Sequence, residues 1–277
     1  MDPEAAVRAA AQAYLDGGPA DPRAVALRVT EAGELVSDRP TTDGGCVRRV
    51  HVLEAGSAAE AQVAWAGGAG FLTLLLERGL AWVVISAVAA PAAPEPPLCA
   101  APTPTDLAAV AAACWDEYCG ANRACDAARM AKVFHPLCRL TFAGGDGELV
   151  VIPCDAFLRM VGERYSTPKH AAYAHLRGDA RVGARDALLG VAFAAPDVAM
   201  VLLKVGHPPC LWTDLLTCAR VGGEWWIVAK SSCSEPLLAD EAREGGGLPP
   251  PPGAAAPPVV PEGAEAGVVD GDGPQSG

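Results

Sequence analysis

Residues 106–136 read DLAAVAAACWDEYCGANRACDAARMAKVFHP, and residues 212–230 read WTDLLTCARVGGEWWIVAK. The first stretch is alanine-rich and suits helices. The second is two apolar runs rich in β-formers, joined by Gly222-Gly223. Helices followed by long strands point to an α+β fold, with helices laid on one face of a curved antiparallel sheet. Thr105 or Asp106 can cap a first helix reaching about Tyr118, where Gly120 and Asn122 would end it. Asp126 can cap a second helix that stops before Pro136. Strands over 139–142 and 148–152 flank the turn 144–147, and Pro153 opens a third helix running to Tyr165. Strands are expected from there on, broken at 177–179, 195–197, 207–209 and 222–223.

The N-terminal part repeats this plan in shorter form. AAVRAAAQAYLDGGPADPRAVALRVTEAGELVSD predicts helix, break and helix, with Tyr14 against Tyr118 and Asp21 against Asp126. FLTLLLERGLAWVVISAV answers WTDLLTCARVGGEWWIVAKSS, with Trp82 against Trp225. The first copy is read as degenerate, with a strand pair and the third helix deleted. The expected organisation is therefore a degenerate domain at 1–88, a proline-rich linker at 89–105, a complete domain at 106–236 and a tail at 237–277. That tail, rich in Pro, Gly and acidic residues, cannot support a packed core and is expected to be disordered.

Composition narrows function. The formal charge of −12 argues against a surface for DNA or RNA. Much of that charge lies in residues 234–277, where eight acidic residues face one arginine. The most apolar run, 80–93, is too short to span a bilayer, so no membrane segment is expected. Ten cysteines lie scattered without CxxC spacing, and MDPEAAVRAA has no secretory pattern. Reduced thiols, a cytoplasmic setting, no metal and no cofactor are expected. No phosphate-binding loop, dinucleotide fingerprint or serine-nucleophile elbow is present.

Helices followed by a bent sheet with a Gly-Trp-type closing hairpin resemble the nuclear transport factor 2-like superfamily, in the group labelled SnoaL-like or "putative lumazine-binding". The carriers are Tyr118, Asp126, Phe134-His135-Pro136, Phe157, Val161, Asp214-Leu215-Leu216 and Glu224 to Lys230. The resemblance implies a cystatin-like cone with a pocket between sheet and helices, and pairing through outer sheet faces. Two copies in one chain would then pack as a pseudo-dimer, with room for a further oligomer. Members range from isomerases, dehydratases and cyclases to scaffolds, so the fold does not settle the activity. Tyr118 falls where the superfamily's steroid isomerases carry an oxyanion-stabilising tyrosine. Their two acids would fall at about Phe142 and Thr217, and neither is present. Isomerase chemistry of that type is not expected.

The leading expectation is a pocket in the second domain for a small apolar or aromatic molecule. Its lining is drawn from Trp115, Tyr118, Phe142, Phe157, Val161, Tyr165, His170, Thr217 and Trp226. A cofactor-independent lyase or isomerase using His135, Tyr118 and Asp214 is the first alternative; a non-catalytic interaction module is the second. His135 suits a general base but is expected to cap the end of helix two. Asp214 is the one carboxylate in an apolar strand. If Thr217 faces the cone, strict alternation turns Asp214 and Trp212 to the outer face, and a bulge would reverse that. His170 and His175 are five apart, on opposite faces of a regular strand, and His207 is expected in an exposed turn. Trp225 and Trp226 must face opposite sides.

Overall fold

The structure is a computed structural model that describes residues 2–17, 25–29, 34–37, 46–52, 58–65, 68–77, 81–91, 103–143, 149–177 and 179–237. Most of the expected linker, the 144–147 turn, Asp21 and nearly all of the tail lie outside the described residues.

Helix α1 (Pro3–Leu15) starts because Asp2 accepts the Glu4 amide at 3.0 Å and Pro3 fills the first turn. It buries Val7, Ala11, Tyr14 and Leu15, a stripe with helical spacing. The stripe lies on a sheet of β1 (Val25–Val29), β2 (Leu35–Val36), β3 (Cys46–Val52), β4 (Ala58–Trp65), β5 (Gly68–Glu77) and β6 (Ala81–Pro91), ordered β2-β1-β6-β5-β4-β3. Where the second helix was expected, the described residues 25–29 and 35–36 are strands. VALRV alternates apolar positions with period two, and as β1 it pairs parallel to β6. The strand pair thought missing from this half is present as β1 and β2.

The second half opens with α2 (Pro104–Ala111), capped by Thr103, whose Oγ1 accepts the Asp106 amide at 3.1 Å. The helix does not stop at Gly120. It runs on through a π-helical segment (Ala112–Cys119) into α3 (Gly120–Ala124) and ends at Cys125, whose φ of 53° is left-handed. Asp126 caps the short α4 (Ala127–Met130), as expected. Strand β7 (Phe134–Ala143) begins at once, so His135 and Pro136 lie in a strand and not at a helix end. β8 (Leu149–Pro153) leads into α5 (Cys154–Gly162). The next stretch is a run of short helical turns, including α6 (Pro168–Ala171) and α7 (Ala180–Gly183), rather than a strand. Thr167 and Asp179 each precede a helical first turn, and no alternating apolar run links them.

β9 (Ala187–Ala195), β10 (Val198–His207), β11 (Cys210–Val221) and β12 (Glu224–Pro236) complete a sheet ordered β8-β7-β12-β11-β10-β9. The order matches the first sheet strand for strand, including one parallel pair, β7 with β12. Trp82 and Trp225 are each the second residue of the last strand. Register shifts in β9–β10, β11–β12 and β12–β7 mark the bulges that bend a sheet into a cone.

The sheet has two buried faces. Its concave face meets the helices through Val110, Cys114, Tyr118, Phe134, Leu216 and Ile227. Its outer face carries Val198, Met200, Leu215, Ala219 and Val228, packed against Leu27, Phe71, Val88 and Ala90 of the first sheet. The two halves thus join face to face by an apolar seam.

Candidate functional site

Strand β11 alternates strictly, and this places Asp214 on the concave face. Leu216 and Cys218 join the helix-side core, whereas Leu215 and Ala219 join the seam. Thr217 pairs with Met200 and Ala229, both in the seam, so it faces outward. The expected parity was inverted because its premise, an inward Thr217, is wrong. Trp226 also belongs to the seam, and Trp225 is the inward tryptophan, edge-on to Phe193 at 5.8 Å.

Asp214 is fully buried. Its Oδ2 accepts the Tyr118 hydroxyl at 2.6 Å, and its Oδ1 accepts from Lys230 and, at 2.8 Å, from Ser232. Lys230 is also buried and lies over the Tyr118 ring, 5.7 Å from its centroid. Every partner is a donor, so both carboxyl oxygens are satisfied inside the fold. Burial first, and then the Asp214 charge, push the Tyr118 phenol well above its ordinary value; it stays neutral and donates. Around this network Tyr118, Phe134 and Phe157 form an aromatic chain at 5.5 and 5.3 Å. Trp115 and Phe157 flank that core and Val161 lies within it, while Phe142 meets Trp212 edge-on at 6.3 Å.

His135 does not join Tyr118 and Asp214. Its ring lies 5.7 Å from Trp226, a residue of the seam, and its Nδ1 accepts the Leu137 amide at 3.2 Å. Burial lowers its pKa. His170 is in α6, where its Nδ1 meets Thr167 Oγ1 at 3.0 Å.

A cavity of about 230 Å³ opens at the mouth of the cone. Asn122, Arg123, Tyr165, Leu176, Val182 and His207 form much of its wall. Of the expected lining residues Tyr165 adjoins this cavity, and Trp115, Tyr118, Phe142, Phe157, Val161, His170, Thr217 and Trp226 are not among its wall residues. His207, expected in an exposed turn, stacks on Trp212 with centroids 5.4 Å apart and planes 24° from parallel. Burial, with help from Arg164, Lys230 and His170, drives its imidazole well below the usual value, so the ring is neutral near pH 7. Asn122 is only 2% exposed. Its Oδ1 accepts from Arg164 at 2.7 Å, which turns its amide Nδ2 away. That Nδ2, like Trp212 Nε1, is buried without a hydrogen-bond partner among the described residues.

Among the described residues no three His, Cys, Asp or Glu side chains cluster as metal ligands. Cys114, Cys119, Cys125, Cys138, Cys154, Cys210, Cys218 and Cys233 are free thiols; Cys114 and Cys218 lie 3.4 Å apart, Sγ to Sγ. No described helix is long and apolar enough to cross a membrane.

Residues 106–231 match the family described as "Putative lumazine-binding". Among solved structures the chain is similar to a nuclear transport factor 2-like protein of unknown function from Silicibacter pomeroyi, at 20% identity. That match covers 49% of this chain and 100% of the other, with a TM-score of 0.38. Another of unknown function, from Shewanella baltica, is 12% identical over 49% of this chain and 98% of its own, with a TM-score of 0.39. A ketosteroid isomerase-like protein from Erwinia carotovora atroseptica is 14% identical over 47% of this chain and 97% of its own, with a TM-score of 0.33. No curated protein matches the sequence. Residues 106–231, which the family match spans, hold the concave-face helices and most of the second six-stranded sheet.

Proposed function

We propose that the second half is a binding module for one small ring-bearing molecule, held at the mouth of the cone. The observation that carries this reading is Asn122 Nδ2, a buried donor in the cavity wall with no partner among the described residues. Buried polar groups are nearly always hydrogen-bonded, so an orphan donor on a residue that lines a cavity points to an acceptor beside it. The Tyr165 and His207 rings and Leu176 and Val182 add apolar wall. A cavity of about 230 Å³ falls below the usual range for drug-sized ligands, roughly 300–1,000 Å³, which favours something small. Lumazine, the molecule in the family's description, is a compact fused heterocycle with carbonyl acceptors and meets both demands.

Catalysis by His135, Tyr118 and Asp214 finds no support in this geometry. His135 stands against the seam, while the other two are locked in the interior. A general base must reach the proton it removes, and Asp214 spends both oxygens on internal donors. The first half is best read as a degenerate copy that keeps all six strands and serves as the internal partner of the second. The shared strand order and the seam between outer faces support that assignment.

The test is a lumazine titration followed by tryptophan emission, since Trp212 backs the cavity through His207. Native mass spectrometry of freshly purified protein runs alongside, to detect a co-purified molecule. Saturable quenching at one equivalent is expected, lost in Ala180→Phe, which fills the mouth from an exposed position. No spectral change and no co-purified mass would sink the reading.

A further inference from the structure

Arg164 is the buried arginine beside the cavity that lacks a carboxylate partner among the described residues. Arg123 pairs with Asp186 at 2.5 Å and Arg181 with Asp179 at 2.8 Å. Lys230 pairs with Asp214 inside the cone. Arg164 is 7% exposed and meets no carboxylate among the described residues. Its amino groups donate to the Asn122 carbonyl oxygen at 3.1 Å and to Asn122 Oδ1 at 2.7 Å, and Cys125 Sγ lies 4.0 Å away. A guanidinium carries five N–H donors, so this neutral set leaves it short of acceptors and of counter-charge. Burying an ion without an opposite charge costs several kcal/mol, on the order of the penalty that pairing normally offsets. Arg164 adjoins Tyr165 in sequence and holds Asn122 through two bonds, and both neighbours line the cavity.

From this imbalance we infer that the cavity's ligand is a small monoanion, an aromatic carboxylate in chemical class, whose charge answers Arg164 and whose oxygen takes the free Asn122 amide. This rests on the binding reading above and narrows it. Burial together with the Arg164 and Lys230 charges keeps His207 neutral, so the ring adds no positive charge to the wall. A monoanion suffices, because Arg164 is one buried cation without a carboxylate partner among the described residues.

The experiment compares benzoate with benzamide, which share ring and size and differ in charge, by calorimetric titration of the full chain at pH 7.5. Wild type is expected to bind benzoate at least 10-fold more tightly than benzamide. Asn122→Asp would place a carboxylate about where Oδ1 now meets Arg164, supplying the missing counter-charge from within. The benzoate-to-benzamide ratio should then fall to about one, with no drop in thermal midpoint. As an independent pair, Arg164→Lys should keep a preference for benzoate and Arg164→Gln should lose it. Equal binding of both probes by wild type would overturn the anion assignment and leave the binding module standing. So would a preference that survives both Asn122→Asp and Arg164→Gln. If lumazine binds and neither benzene probe does, the carboxylate class is likewise refuted. If none of the three binds, the binding module and this inference fall together.

Discussion

Val228 sets which side chains meet Asp214. Between Thr217–Ala229 and Cys218–Ile227 the β11–β12 pairing slips by one, leaving Val228 as the extra residue. Carried back without that slip, the hairpin register would oppose Asp214 with Ser231 and turn Lys230 to the seam. With it, Lys230 and Ser232 both turn inward, and the carboxylate finds its cation. His207 permits a pH prediction. Its folded pKa is depressed, so below the ordinary value near 6.5 the unfolded chain binds a proton that the native ring refuses. Stability is unaffected by this group above about pH 7 and falls as pH drops below 6.5. The slope is at most about 1.4 kcal/mol per pH unit for one proton. Urea titrations between pH 7.5 and 5 should show that decline, and His207→Gln should make it shallower. An unchanged slope in the variant would show that the ring is not held neutral.

The π-helical segment explains how one helix face carries so much of the interior. Cys114, Tyr118 and Cys119 are all buried. On a regular α-helix Tyr118 lies roughly 40° from Cys114, but Cys119 lies roughly 140° away, nearly opposite. Widening the turn brings both over Cys114 and aims Tyr118 at Asp214. No composition or periodicity signal announces such a segment, because its gain comes from contacts with the sheet. In the first half the strand geometry is set at Gly70, where a Cβ would sit 2.1 Å from the Val88 carbonyl oxygen. Backbone cannot yield there as a flexible side chain would. Gly70→Ala should therefore cost at least about 2 kcal/mol by chemical denaturation. A near-neutral change would mean that β5 and β6 do not approach as described.

At the scale of the whole molecule the seam dominates. Phe71 and Val88 on one side and Met200, Leu215 and Val228 on the other remove both outer faces from water. Gln62 adds a polar tie, its Nε2 donating to the Phe193 carbonyl oxygen at 3.1 Å. Phe71 contacts the second sheet from the first, so Phe71→Ala should cost about 3–5 kcal/mol. The loss should register as faster amide exchange in β11, in the other half of the chain. Wild type should unfold in a single transition with both halves' probes coincident. Amide exchange in β11 left untouched by Phe71→Ala would show that the halves fold without leaning on each other.

Much of the second half was legible. The Asp126 cap, the strand–helix boundary near Pro153 and the Gly222-Gly223 hairpin rest on local chemistry that neighbouring residues dictate. The expected helix around VALRV is a strand, because a five-residue strand has too few periods to declare itself in the sequence. The candidate site was largely hidden. Asn122, Arg164 and His207 come from three separate elements, and no spacing links them. Asp214 was visible as the lone acid of its strand, yet its facing depended on alternation counted from the wrong residue, and its partner on a bulge. The sequence alone determined the element boundaries marked by Asp126, Pro153 and Gly222-Gly223, because caps and turns act over a few residues. Only the tertiary structure decided which charges meet, since a buried ion's stability depends on neighbours brought together from distant parts of the chain.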